Sequence, residues 1–397
     1  MALPILLVAE DTDRPRVVRG LDLGVNDFIM RPVERNELAA RVRTQIRRHR
    51  YASELRQSVT QTLANIQNVK TGSNADTVVG STASNVLETG AGDDVLKSGD
   101  VDGSSANDTL DGGADTDTAD YSGLSGALSL DLAKDLSYGE ISGAGTDRLI
   151  GIENVKTGSG ADLLVGDGRA NALYGGAGSD TLIGAGGADT LYGEGGTDTV
   201  SYAGSSVAVS VNLQAGQATD GFGAVDSLVG IENIIGSNQS DTLTGDAQAN
   251  LIQGGDGADT LFGGAGNDVL EGGNAADQAS YAGSEAVTIE WGTTGAAVVK
   301  GDVLVGTDTL TAIEQVLGSS AGDTFKAATG GDFTTGFTWD GAAGVDTLDL
   351  SGVAGTNNFK VDLSKTAGYA QQISPAVTGS QALRNIENLT LGGGQDT

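Results

Sequence analysis

The chain has 397 residues, 63 of them glycine and none cysteine, and its 53 acidic against 22 basic side chains leave a formal charge of −31. This composition excludes a disulfide framework, a thiol nucleophile and a Cys-type zinc site, and the single histidine, His49, excludes any two-histidine metal motif. So acidic a chain offers no phosphate-binding face, so no nucleic-acid partner is expected, and with no run of about 18 apolar residues no membrane-spanning segment is expected either.

Residues 2–9 are apolar, but no basic stretch precedes them and Glu10, Asp11 and Asp13 follow, which is a poor secretory signal. Any export is expected to use a signal-peptide-independent route. Residues 1–58 hold 11 of the 22 basic residues, eight acidic ones, three of the four prolines and two glycines, Gly20 and Gly24; the other 339 residues set 11 basic against 45 acidic side chains. That break predicts a domain boundary.

In the first segment, Ile5-Leu6-Leu7-Val8 predicts a buried strand. Residues 14–23 predict a helix with Pro15 near its start and Gly24 at its end. Phe28-Ile29-Met30 predicts a second strand, and a long helix follows from Glu34, where Leu38, Val42, Ile46 and Leu55 recur near helical spacing. Arg41, Arg43, Arg47, Arg48 and Arg50 make that helix basic, which a solvated face or a cap over acidic neighbours explains better than a nucleic-acid patch. Residues 2–8 and the run Gly24-Val25-Asn26-Asp27-Phe28-Ile29-Met30-Arg31-Pro32 resemble the C-terminal half of a response-regulator receiver domain. With the helix through Arg47-Arg48-His49-Arg50-Tyr51, they are similar to receivers of PleD-type diguanylate cyclase regulators. The resemblance implies a small α/β fragment. The family's acidic pair and phospho-accepting aspartate lie on strands absent from this sequence. Its switch Ser/Thr position holds Ala9, its active-site lysine position holds Arg31, and no cyclase domain follows. The segment is therefore expected to be a truncated remnant that takes no phosphoryl group.

Internal repeats organise the rest. Five nine-residue blocks begin at Thr157, Gly166, Gly175, Gly184 and Gly193, and five more at Gly236, Gly245, Gly254, Gly263 and Gly272. Residues 175–183, 254–262 and 263–271 fit G-G-x-G-x-D-x-U-x, with U a large apolar residue. An earlier array spans residues 71–120 with five extra residues near 99–104, and a looser one, keeping Asp323, Asp332 and Asp346, spans 318–349. A longer period surrounds the arrays: Ile66-Gln67-Asn68, Ile152-Glu153-Asn154, Ile231-Glu232-Asn233, Ile313-Glu314-Gln315 and Ile386-Glu387-Asn388 open successive modules. The resulting division is a receiver-like fragment over 1–58, modules over 59–151, 152–230 and 231–312, a degenerate module over 313–385 and the start of a truncated fifth over 386–397.

Glycine reaches backbone conformations denied to other residues, so a G-G-x-G loop turns tightly with carbonyls pointing inward, and the aspartate adds a hard anionic oxygen. The x-U-x triplet predicts a short strand whose U side chain fills the core. Two blocks make one turn of a flattened parallel coil, so blocks i and i+2 stack with strands about 4.8 Å apart and loops on successive turns close enough to share a cation. The fold class read here is mainly β, tandem parallel β-roll modules after a small α/β segment.

The nonapeptide is similar to that of the RTX, or repeats-in-toxin, calcium-binding family, over residues 66–397. The resemblance implies Ca²⁺ held between adjacent loops. It carries the metal-ligand role to Asp162, Asp180 and Asp198 on one edge with Asn171 and Asp189 opposite. In the next array the positions are Asp241, Asp259 and Asp277 with Asn250 and Asp268 opposite, and in the first, Asp76, Asp94 and Asp117 with Asn85 and Asp108. The loop glycines Gly175, Gly176, Gly178, Gly254, Gly255, Gly257, Gly263, Gly264 and Gly266 belong to the same sites. Asparagine, a neutral ligand, is expected to make weaker sites than carboxylate.

No H-E-x-x-H, G-x-S-x-G or Walker pattern occurs, so no enzyme activity is expected. Trp291 and Trp339 read as packing residues, and Tyr121, Tyr202 and Tyr281 recur at one module position, which points to structure. The sequence therefore reads as a secreted or cell-surface, adhesin-like calcium-binding protein with calcium-dependent folding, met by calcium ions and by secretion machinery or a cell-surface partner. Two alternatives are the accessory and secretion region of an extracellular hydrolase or protease, and a remnant of a phosphorelay signalling protein.

Overall fold

A computed structural model describes residues 66–101, 106–133, 139–142, 145–291, 297–301, 305–327, 337–352, 358–362, 368–374 and 381–391, together with two strands, Leu6–Ala9 and Asp27–Met30. Both apolar runs form strands as expected, and the two pair in parallel, Leu7 opposite Phe28. The helices expected over 14–23 and from Glu34, and Asp332, lie outside the described residues. No described helix is long and apolar enough to cross a membrane.

Each x-U-x triplet forms a short strand, of three residues in most blocks and extended to six at Val86–Ala91, Thr109–Ala114, Leu251–Asp256 and Val269–Asn274. Because side chains alternate along a strand, the central residue points inward and its neighbours outward. Leu164 lies opposite Leu182 and Leu182 opposite Val200, while Leu173 lies opposite Leu191, so the stacking period is 18 residues and consecutive blocks take opposite faces. The U residues Leu164, Leu173, Leu182, Leu191, Val200, Leu243, Ile252, Leu261, Leu270 and Ala279 are fully buried between the faces. The coil is thus a parallel β-roll with a core one residue thick from each side.

The pairings trace two long sheets. One runs without a break from Asn68–Lys70 to Asn388–Thr390, the other from Thr77–Val79 to Asn358–Asp362. Where a module ends, the strand-like stretch after each array becomes a three-stranded antiparallel meander set into the parallel sheet. The first comprises Ser129–Asp131, Gly139–Ser142 and Thr146–Ile150, and its outer strands pair in parallel with the roll on either side. The second (Ser210–Asn212, Gln217–Thr219, Val225–Val229) lies in the opposite sheet, the third (Thr288–Trp291, Ala297–Lys300, Thr307–Thr311) returns to the first sheet, and the fourth (Asn358–Asp362, Gly368–Ser374, Gln381–Arg384) to the second. Six face strands plus one meander in each of the first three modules, and four described face strands plus one meander in the fourth, make an odd number of half-turns, so each module begins on the face opposite its predecessor.

In the degenerate module, aromatic packing takes over from glycine loops. Phe325 and Trp339 stack with centroids 5.4 Å apart, and Trp291 lies 4.1 Å from Phe337. Trp291 and Trp339 are buried, as packing residues are expected to be.

Candidate metal sites

Every loop delivers its aspartate to the roll's edge just ahead of a strand, and there the carboxylate divides its work. Oδ1 accepts the backbone N–H of the aspartate one coil earlier. Asp162 donates to Asp180, Asp180 to Asp198, Asp241 to Asp259 and Asp259 to Asp277, all at 2.8 Å, and Asp76 to Asp94 and Asp94 to Asp117 at 2.7 and 2.9 Å. The result is a continuous carboxylate ladder along one edge of each array.

Oδ2 turns back into the loop. A Cβ on Gly175 would meet Asp180 Oδ2 at 2.5 Å, and one on Gly254 would meet Asp259 Cγ at 2.9 Å, so the first loop position accepts no side chain; Gly263 stands in the same relation to Asp268. The second glycine supplies a left-handed turn, at φ +89° in Gly176, +108° in Gly255 and +98° in Gly264. Gly178, Gly257 and Gly266 also take positive φ.

The loops fall into two kinds. In the open kind Oδ2 is buried with no hydrogen-bond partner, as in Asp94, Asp108, Asp117, Asp162, Asp180, Asp189, Asp198, Asp259, Asp268 and Asp277. In the closed kind a loop N–H fills it. Ser237 donates to Asp241 Oδ2 at 2.5 Å and Gly72 to Asp76 Oδ2 at 3.4 Å, so these two expected ligands are already engaged. The asparagine loops are closed as well: Asp167 donates to Asn171 Oδ1, Asp246 to Asn250 Oδ1 and Ser81 to Asn85 Oδ1.

The asparagines have a second partner that explains the residue type. Nδ2 of Asn171 donates to the carbonyl of Glu153 at 2.9 Å, Nδ2 of Asn250 to that of Glu232 at 2.7 Å, and Nδ2 of Asn85 to that of Ile66 at 3.3 Å. An aspartate has no proton to give there. Asparagine at this slot ties each array to the entry stretch that opens its own module.

The ladders end in two ways that sequence reasoning missed. The long ladder ends on the glutamate of Ile-Glu-Asn: Asp117 donates to Glu153 Oε2, Asp198 to Glu232, Asp277 to Glu314 and Asp346 to Glu387, at 2.8–3.0 Å. The short ladder, from Asn171 through Asp189, ends on Asp226, whose Oδ2 accepts the Tyr202 hydroxyl at 2.9 Å. Asp147 with Tyr121 and Asp308 with Tyr281 repeat this cap. A signal was present: each capping aspartate stands five residues before the isoleucine of Ile-Glu-Asn.

These carboxylates sit in an unfavourable field. Burial first, and neighbouring carboxylates second, push Asp189, Asp268 and Asp108 up to about 7 and Asp180, Asp259 and Asp117 up to about 6. Asp198 and Asp277 are also raised, again chiefly by burial. A buried anionic oxygen without a donor is expensive unless a cation meets it. The loops also supply carbonyls: that of Gly158 accepts the Ala177 N–H and that of Gly176 the Gly195 N–H, which leaves each a second lone pair. An all-oxygen, anionic, glycine-lined donor set suits a hard cation with a flexible coordination shell, which is Ca²⁺.

Comparison with known proteins agrees with this geometry. The RTX calcium-binding nonapeptide repeat family matches in overlapping sets across residues 71–122, 149–200 and 228–279. Separately, a stretch of 61 residues is 46% identical to the response regulator PleD of Caulobacter vibrioides, covering 15% of this chain and 13% of PleD. A stretch of 47 residues is 45% identical to the DNA-binding response regulator MtrA of Mycobacterium tuberculosis, covering 12% of this chain and 21% of MtrA. The chain thus spans only a small part of either regulator. The arrays over residues 71–122, 149–200 and 228–279 thus match the RTX calcium-binding nonapeptide repeat, a repeat that binds Ca²⁺.

Proposed function

We propose that this is a calcium-loaded structural protein of the cell exterior whose roll folds as Ca²⁺ enters the open loops. The observation that carries the reading is the series of buried, unpartnered Oδ2 atoms. On this reading the ligands are Asp94, Asp108, Asp117, Asp162, Asp180, Asp189, Asp198, Asp259, Asp268 and Asp277, with loop carbonyls completing each shell. Asp76 and Asp241, already bonded to their own loops, contribute less.

Residues 59–397 set 45 acidic against 11 basic side chains, and their core holds one apolar residue per block. Burial so thin does little to offset the ordering of so many glycines. Each Ca²⁺ cancels two charges and ties successive loops, so binding energy becomes folding energy. Extracellular calcium modules bind at roughly 10⁻⁴–10⁻³ M, a range met outside cells, so the chain stays loose inside and sets on export. This supports a secreted or surface-exposed, adhesin-like role without catalysis, with export through secretion machinery. The similarity to response regulators favours a second reading, in which the N-terminal segment is a phosphorelay remnant that takes no phosphoryl group; Mg²⁺-dependent phosphorylation by acetyl phosphate would overturn it.

Far-ultraviolet circular dichroism of the full chain, in excess chelator and then in millimolar Ca²⁺, tests the main reading. A β signal that grows on adding Ca²⁺ is expected. A full β signal in chelator, unchanged by Ca²⁺, would sink it.

A further inference from the structure

One acidic cluster departs from the nonapeptide register. The first array carries five extra residues near 99–104, and Asp100 stands beside Asp108 and Asp147. One carboxylate oxygen from each of the three lies within 4.8 Å of the others, the only such group among the described residues. Asp108 and Asp147 are 2% and 1% exposed.

Two of the three are held rigidly. Asp108 Oδ1 accepts the Asn85 N–H at 2.6 Å, and its buried Oδ2 has no hydrogen-bond partner. Asp147 accepts the Asp108 N–H at 2.8 Å on Oδ1 and the Tyr121 hydroxyl at 2.9 Å on Oδ2. The charged groups acting on Asp108 are Asp147 and Asp100, both of like sign. The equivalent pairs Asp189 with Asp226 and Asp268 with Asp308 bring no third carboxylate this near.

We propose that Asp100, Asp108 and Asp147 form a carboxylate-only site for a hard divalent cation of the Ca²⁺ class, distinct in composition from the glycine-aspartate loops and the tightest site in the chain. Oxygen sites for Ca²⁺ gain affinity with ligand charge and rigidity. One oxygen from each of the three carboxylates lies within 4.8 Å of the other two, and Asp108 and Asp147 are fixed by backbone and phenol hydrogen bonds that leave each Asp147 oxygen a second lone pair. Asp147 lies on Thr146–Ile150, the last meander strand of the first module, so the ion clamps the first array to its own meander. The inference rests on the reading that the chain binds Ca²⁺, but not on the nonapeptide loops as its tightest sites.

Calorimetric Ca²⁺ titration of the full-length chain, beside Asp100→Asn and Asp100→Ala, tests this. The unmodified chain should show one ion bound at least tenfold more tightly than the rest. Both variants should lose that step, with the weaker sites and the β signal in saturating Ca²⁺ unchanged. The first equivalent of Tb³⁺ should also give tyrosine-sensitised emission, since Tyr121 touches Asp147, and Asp100→Asn should abolish it. Isotherms alike in all three proteins, or a dark first equivalent of Tb³⁺, would overturn the site and leave the loop reading standing. No Ca²⁺ binding by any of them would overturn both.

Discussion

The side-chain amide of Asn171 donates to the backbone carbonyl of Glu153, 2.9 Å away, while the Glu153 carboxylate accepts the Asp117 N–H at 3.0 Å. One residue thus closes the carboxylate ladder of the first array with its side chain and opens the short ladder of the second with its backbone. Glu232 does the same between Asp198 and Asn250. The modules are therefore joined along the same edges that carry the candidate ligands.

This joint predicts the effect of Asn171→Asp. The Glu153 carbonyl loses its donor and faces a carboxylate instead, which should destabilise the folded protein by about 1–3 kcal/mol. Urea unfolding in saturating Ca²⁺ measures it. If Asn171 were simply a weak calcium ligand, the substitution would raise calcium affinity and stability, the opposite sign.

The buried phenols give a second prediction. Tyr202→Phe removes the donor to Asp226 Oδ2 and leaves an oxygen buried without a partner, at about 1–3 kcal/mol. A thermal melt in Ca²⁺ should shift down, and Tyr281→Phe should act alike through Asp308. An unchanged melting temperature in both variants would show that these hydroxyls do not hold the seams.

Acidity should partly replace calcium. Asp189 and Asp268 are pushed up to about 7 and Asp180 and Asp259 to about 6, from an ordinary value of 3.8, with burial the largest cause. A raised folded-state value means the folded chain binds protons more strongly than the unfolded one. The stability these groups contribute is full below pH 3.8 and is lost as pH rises through 6 to 7. Calcium-free protein should therefore gain β signal on acidification from pH 8 to pH 5, and Ca²⁺ binding near pH 6.5 should release protons. A β signal independent of pH without calcium, together with calorimetry showing no proton release, would contradict this.

Backbone strain makes a fourth prediction. Ala185 and Glu194 occupy the second loop position with φ of 68° and 67°, where their neighbouring loops place glycine. Ala185→Gly and Glu194→Gly should each stabilise the calcium form by about 1 kcal/mol, the strain an L-residue carries in this region. Gly176→Ala should destabilise it, because its φ is +89° and an added Cβ would meet the Thr157 carbonyl oxygen at 2.9 Å. Chemical denaturation of the three variants decides the signs.

The nine-residue register, the burial of Leu164, Leu182 and Val200 in one file, and the presence of Asp180 and Asp259 at loop ends were legible in the sequence, because each follows from a local period and a local need for glycine. So was the structural role of Tyr202, though not its partner. Which aspartates stay open was decided by the fold: Asp180 and Asp241 occupy the same sequence slot, yet Ser237 turns its N–H onto Asp241 while Gly176, in a left-handed conformation, leaves Asp180 Oδ2 bare. Likewise, the glutamate of Ile-Glu-Asn meets Asp198 from 34 residues away, and Asp226 meets Asp189 from 37. Those spacings span a meander whose place in the sheet no periodicity encodes. The sequence by itself determined the repeating unit, because that unit is short-range chemistry. Only the tertiary structure decided how the units end, join and alternate faces, because those features depend on how many half-turns separate residues that come to lie one above the other.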